Sequence, residues 1–287
     1  LIVIDDASTD ASAEIARAYA AKDDRIVLMH NQLNSGAART RNRALDAARG
    51  KFITFMDADD LCSPERFAKQ LAFFERHPQT DICGSYYTMF GTRGGGNGEL
   101  KIQVPLTHEE IQYQLFFGCP FGMSSVMLRS EPFKRTGIRF RECMAEDYQL
   151  WVDLSEHLRM ANIPEYLTFY RRWEDQISTR QLDRQTLSAQ LTQQEQLARK
   201  LGVRLSDDEA RIFTRFSLRT GDVKKRELAS YRRILTRLYK AGIRHSHDPK
   251  LLKRQLMRRY KMACGLFYPS WRVWIHKRLF LVRLLAS

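Results

Sequence analysis

The sequence predicts an α/β fold, a mostly parallel Rossmann-like sheet flanked by helices and followed by an α-helical C-terminal region. Three observations predict it. Short apolar, β-branched runs alternate with helix-like segments over residues 1–90, and such alternation builds a largely parallel sheet. Acidic clusters directly follow the first and third runs, as Asp5-Asp6 and Asp57-Ala-Asp-Asp60. Strand-like runs stop near residue 178, after which the chain reads as helices.

Each element has its own signal. Leu1-Ile-Val-Ile4 is continuously apolar, as a central strand is. The polar stretch 5–10 offers N-cap residues for a helix ending near Ala21. Residues 26–29 read as a second strand. The Ala-rich segment 35–49 reads as a helix, with Gly50 as its stop. Residues 52–56 form a third strand, and Ser63-Pro-Glu begins a helix with Ser at the N-cap and Pro first inside. Residues 81–90 are strand-like, and the glycine tract 91–98 reads as a hairpin tip. Thr107-His-Glu-Glu110 fits a capping box. Residues 124–128 are again strand-like. Residues 146–158 form a helix with Tyr148, Trp151, Val152 and Leu154 facing inward. A Gln-rich helix occupies 181–200.

Composition divides the chain at about the same place. Of 287 residues 44% are hydrophobic, enough for a packed core and against wholesale disorder. The net charge of +14 is uneven. From Gly221 onward there are 18 Lys and Arg against three acids, whereas the first 220 residues carry 29 bases and 30 acids. Two regions are expected, residues 1–178 and 179–287. The five cysteines are scattered with no C-x-x-C pair, which suggests neither a zinc site nor a disulfide framework and favours a reducing compartment. No apolar run reaches the ~18 residues of a membrane span. The chain opens on a buried-strand pattern without an initiating Met, so it is expected to begin inside a domain.

The chemistry centres on carboxylates. Ligands in open α/β sheets bind outside the carboxyl ends of strands, and Asp-x-Asp puts alternate carboxylates on one side. Asp57 and Asp59 therefore suit Mg²⁺ or Mn²⁺ bridging a diphosphate, with a solvated loop and helix start as the alternative. Asp5 and Asp6 also end a strand and should open on the same edge. There they can accept from a nucleobase or ribose, or serve as helix caps.

These residues resemble a known family. Ile2-Val-Ile-Asp-Asp-Ala-Ser-Thr-Asp10 is similar to the V-V-D-D-x-S-x-D motif of family 2 inverting glycosyltransferases with the GT-A fold. Asn34-Ser-Gly-Ala-Ala-Arg-Thr-Arg-Asn42, then Ala47-Ala-Arg-Gly-Lys-Phe-Ile-Thr-Phe-Met-Asp-Ala-Asp-Asp60 and Pro64, resembles N-x-G-x-x-x-A-R-N…A-x-G-x-Y-I-x-F-L-D-x-D-D…P in order and spacing. The resemblance covers roughly residues 1–180. It implies that Asp6, beside Asp5, contacts the base, that Asp57 sits by the ribose, and that Asp59 holds the metal. Arg39 would flank the nucleotide of a donor expected to be a UDP-sugar. Glu146-Asp147 resembles E-D-x-x-L-W, which makes Asp147 the general base; without the resemblance these are ordinary first-turn acids. Trp151 reads as core.

The sequence also departs from that pattern. The family's first strand and helix are absent, and Trp173 stands where a His is common, which puts its role at the diphosphate in doubt. Phe169 occupies the Gln position of the processive synthases' Q-x-x-R-W, which favours addition of a single sugar to a glycan or lipid-linked acceptor. Residues 251–287 mix cations with aromatic and aliphatic residues, suiting an anionic membrane surface or, alternatively, core or oligomer packing. The location expected is cytoplasmic, peripheral at the inner face of the plasma membrane. Two other readings remain, a receiver-like phosphoacceptor domain built on Asp5, Asp6 and Asp57, and nucleic-acid binding by the basic tail; no nucleic acid is the expectation.

Overall fold

The computed structural model describes residues 1–91, 98–173, 176, 180–244 and 248–285. Strand β1 (Ile2–Asp5) pairs in parallel with β2 (Val27–His30), from Ile2↔Val27 to Asp5↔His30. Helix α1 (Ser12–Ala20) makes the crossover between them. Helix α2 (Gly36–Ala47) then leads to β3 (Phe52–Thr54). Short β4 (Leu61–Cys62) follows, then α3 (Arg66–Arg76). The Ser63-Pro-Glu segment forms a turn, Ser63 Oγ accepting from the Glu65 amide at 3.3 Å, so the helix starts at Arg66 rather than at Pro64 as the sequence suggests.

The next elements are β5 (Ile82–Gly91), β6 (Leu100–Ile102), α4 (His108–Leu115), β7 (Met127–Arg129), α5 (Ser130–Thr136), α6 (Glu146–Leu154) and β8 (Met160–Arg172). Strands β3-β7-β5-β8-β4 lie side by side, with β6 paired to β5. The α/β layering is as expected, but the sheet is mixed. Only β1–β2 and β5–β8 are parallel, and the other four described ladders are antiparallel. Only β5–β6 is a short return, which comes back antiparallel; the other three antiparallel ladders join strands distant in sequence. Residues 92–97, which hold most of the glycine tract, lie outside the described residues; the strands on either side pair antiparallel, from Tyr87↔Ile102 to Met89↔Leu100.

The C-terminal helices are α7 (Leu182–Leu201), α8 (Asp207–Leu218), α9 (Leu228–Gly242), α10 (Pro249–Gly265) and α11 (Ser270–Leu285). One apolar core lies against the sheet around Ile82, Leu128, Phe133 and the fully buried Trp151. A second lies among the C-terminal helices around Phe213, Tyr231, Leu235 and Leu256. Helix α7 joins both, giving Ala189 to the first and Leu197 to the second, while Phe116 and Phe117 after α4 also enter the second. Among the described residues no helix is long and apolar enough to cross a membrane.

Candidate active site

The first acidic pair ends β1. Asp6 turns toward the start of α2, where Oδ1 accepts from Asn31 Nδ2 at 2.6 Å and the Ser35 amide at 2.8 Å. Its Oδ2 accepts from the Gly36 amide at 2.8 Å. Ser35, the N-cap, makes no side-chain cap bond, so Asp6 satisfies the helix's unpaired amides from outside. Gly36 adopts φ +79°, a left-handed conformation that suits glycine. Burial pushes the Asp6 carboxyl up, but the bonds from Asn31, Ser35 and Gly36 outweigh it and hold the group below its ordinary value. Asp5 faces Ser8 and His30, whose Nδ1 lies 3.4 Å from Asp5 Oδ2, and its carboxyl is also lowered.

The second cluster follows β3. The Asp57 amide donates to Ser124 Oγ at 3.0 Å, and the Asp60 amide closes a turn onto the Asp57 carbonyl at 3.1 Å. Beyond the turn, β4 pairs with β8 through Leu61↔Phe169. The Arg171 amide donates to Asp60 Oδ1 at 2.9 Å, and Arg171 Nε donates to the Asp59 carbonyl at 2.7 Å. Beneath the segment lies Arg66, fully buried, donating to Thr54 Oγ1 at 2.5 Å, the Val126 carbonyl at 3.1 Å and Gln70 Oε1 at 3.2 Å. The loop is thereby pinned on both sides. Trp173 Nε1 and Gln176 Nε2 each donate to Asp59 Oδ2 at 3.3 Å. Trp173, the residue at the departure from the family pattern, therefore reaches the acidic turn.

The third piece is the first turn of α6. Arg41 links it to the second cluster, with Nη2 donating to Asp57 Oδ1 at 2.9 Å and Nη1 to Glu146 Oε1 at 2.5 Å. Asp147 Oδ1 accepts from the Tyr148 amide at 2.6 Å, and Cys119 Sγ stands 3.9 Å from Oδ2. Burial, and after it the Glu146 charge, lifts the Asp147 carboxyl from 3.8 to about 6, against the opposing pull of Arg41. A carboxylate with that affinity is suited to accept a proton near neutrality.

Asp57, Glu146 and Asp147 are thus gathered around one guanidinium, with Asp59 and Asp60 on the same turn as Asp57. Asp5 and Asp6 stand at the end of the separate β1–β2 pair. Arg39 does not join them; it pairs with Glu142 at 2.8 Å, both side chains being well exposed. The residue missed in the sequence is Arg41. A signal for it exists, since Arg41 fills the arginine of the N-x-G-x-x-x-A-R-N pattern, whereas Arg39 falls on one of its variable positions. Arg171 and Gln176 were equally unforeseen, because their approach depends on how β8 pairs, whereas Trp173 is singled out in the sequence as the residue at the family's His position.

Among the described residues no three His, Cys, Asp or Glu side chains already form a metal cage. A magnesium or manganese ion bound mainly through substrate phosphates and water needs only one or two carboxylates. Asp59 and its neighbour Asp60 fit that need. Asp60 Oδ2 is buried without a hydrogen-bond partner, and burial raises the Asp60 carboxyl. A cation nearby would satisfy it.

Comparison with known proteins agrees with this architecture. Glycosyl transferase family 2 matches residues 1–137. A Bacillus subtilis protein named as glycosyltransferase EpsE is 34% identical over 212 residues, covering 72% of this chain and 74% of that protein. The chain belongs to glycosyl transferase family 2. An Escherichia coli enzyme named as a UDP-Glc:alpha-D-GlcNAc-diphosphoundecaprenol beta-1,3-glucosyltransferase is 32% identical, covering 60% of this chain and 64% of that one. Against several other curated relatives the chain spans about three fifths of their length. Among solved structures, Staphylococcus aureus TarS 1-349 in complex with UDP-GlcNAc aligns with TM-score 0.51 at 19% identity, covering 92% of this chain and 81% of that one. That likeness gives the fold.

Proposed function

We propose that this protein transfers one sugar, with inversion, from a nucleoside-diphosphate donor of the UDP-sugar type to an acceptor hydroxyl in surface polysaccharide or glycolipid assembly. The observation that carries the reading is the junction made by Arg41. It ties the strand-end carboxylate Asp57 to the α6 turn bearing Asp147, whose carboxyl is raised to about 6.

In this reading Asp147 accepts the proton of the acceptor hydroxyl. The hydroxyl oxygen forms its bond to the anomeric carbon as the bond from that carbon to the diphosphate oxygen breaks, and one displacement inverts the centre. Asp57 orients the ribose, and Asp5 and Asp6 lie toward the base. Because most of Asp6's acceptor capacity is spent on α2, its part is to hold that helix in place and offer its remaining lone pair. Asp59 and Asp60 would hold Mg²⁺ or Mn²⁺, which when bound supplies charge stabilisation to the departing diphosphate. The relative named for a UDP-Glc donor and a diphosphoundecaprenol-linked acceptor supports a UDP-sugar and a lipid-linked acceptor here. Such an acceptor would place the protein on the inner face of the plasma membrane.

The test screens nucleotide sugars for transfer with and without EDTA, comparing wild type with Asp59→Ala and Asp147→Asn. We expect EDTA and Asp59→Ala each to remove transfer, and Asp147→Asn to lower kcat by about 10²–10⁴. Undiminished transfer by both variants would refute the mechanism.

A further inference from the structure

Some surface cations of the chain are paired with acids. Arg139 pairs with Asp46 at 2.6 Å and Arg237 with Glu209 at 2.6 Å. Helix α10 carries a row that is not paired. Leu252, Leu256, Tyr260 and Ala263 bury one side of it. Lys250, Arg254, Arg258 and Lys261 are all exposed, and their spacing of four, four and three puts them on a single face. No acid occurs in the sequence after Asp248, and no described ion pair reaches these four side chains. Cations at i,i+4 on an exposed helix repel one another, so the stripe weakens the isolated helix that carries it. It runs roughly 16 Å along the helix axis.

We propose that this face of α10 docks the protein on an anionic phospholipid bilayer, the four cations lying along the headgroups. A straight row of exposed charges along a rigid helix fits a planar anionic surface. The biological sense of the surface rests on the proposed lipid-linked acceptor. Its binding does not, and can be measured without any transfer.

The full chain is co-sedimented with sucrose-loaded vesicles of mixed phosphatidylglycerol and phosphatidylcholine, and with vesicles of phosphatidylcholine alone. Each cation near an anionic surface strengthens partitioning about fivefold. Arg254→Glu with Arg258→Glu should therefore weaken binding to the anionic vesicles by about 25-fold or more, with the thermal midpoint little changed. Rising salt should weaken the wild type. Absence of binding to the anionic vesicles, equal binding by wild type and the double variant, or stronger retention on single-stranded RNA than on vesicles would each overturn the proposal. Donor hydrolysis assayed without vesicles reports separately on the transferase reading. A protein that hydrolyses donor yet ignores vesicles sinks only the docking face.

Discussion

Asp147 is held in a form that costs the fold something. Its carboxyl is lifted to about 6 by burial and by the Glu146 charge, so the protonated form is the one the folded protein favours. The stabilising contribution of such a group is present below its unfolded value near 3.8 and is lost as pH rises through about 6. At pH 7.5 the ionised Asp147 therefore lowers stability, and Asp147→Asn, which cannot ionise, should raise it by about 1–3 kcal/mol. The gain should shrink between pH 6 and pH 4 and be gone below that. Thermal melts of both proteins across this range measure it, and a variant less stable than wild type at pH 7.5 would contradict the assignment. In the proposed reading, where Asp147 is the base, kcat/KM should also fall below about pH 6 as this group takes up its proton. Better stability joined to lost activity marks a group kept for chemistry.

Helix α6 does not hold Asp147 alone, because α7 lies along it and ties it down. Ser188 Oγ accepts from the Ala145 amide at 3.2 Å, immediately before Glu146. Thr192 Oγ1 donates to Gln149 Oε1 at 2.7 Å, and Gln196 Nε2 donates to Tyr148 Oη at 2.7 Å. The Gln-rich composition of this helix, which in the sequence had no stated purpose, is thus a row of buried hydrogen bonds. Thr192→Val keeps the shape but leaves Gln149 Oε1 buried without its donor. It should cost about 1–3 kcal/mol in a urea titration. Adding Gln149→Met should cost less than the two single effects together, since both partners are then gone. Strictly additive costs would mean the pair is not coupled. Element by element, legibility followed local signals. The strands before Asp5-Asp6 and Asp57-Ala-Asp-Asp60 were readable because a continuous apolar run ends abruptly in acid. Strand β8 was not, because Pro164, Glu165, Arg171 and Arg172 interrupt any apolar run, and proline cannot donate to a ladder. The register with β5 shifts around Tyr86, passing from Ser85↔Ile163 to Tyr86↔Tyr166, so Pro164 and Glu165 fall at the irregularity. Antiparallel pairing of β6 and β7 with β5 is likewise a non-local choice that no short window of sequence contains.

At the scale of the molecule, the charge asymmetry and the end of the strands divide the chain near residue 178, whereas the packing crosses that line. Helix α7 buries Thr192, Gln193, Gln196 and Leu197. Gln193 Nε2 donates to the Phe117 carbonyl at 3.0 Å, and Thr214 Oγ1 on α8 donates to Gln193 Oε1 at 2.6 Å. Phe117 packs on Phe213 with ring centroids 5.5 Å apart, so residues on both sides of the line share one core. A chain ending at residue 181 would uncover Phe116, Phe117 and the α6 face that α7 covers. It would also leave the Phe117 carbonyl without its buried donor. Exposing two large aromatic side chains costs about 3–6 kcal/mol by their transfer energies alone, and a domain has only about 5–15 kcal/mol to lose. We therefore propose that the C-terminal helices are a structural part of the catalytic unit, even where their outer face serves another purpose. The 1–181 fragment should be insoluble or unfolded by circular dichroism. The 287-residue chain should melt in one transition seen alike by far-ultraviolet dichroism and by tryptophan fluorescence, where Trp151 reports on the sheet side. A soluble, folded 1–181 fragment that still hydrolyses donor would show instead that the compositional boundary is also an energetic one.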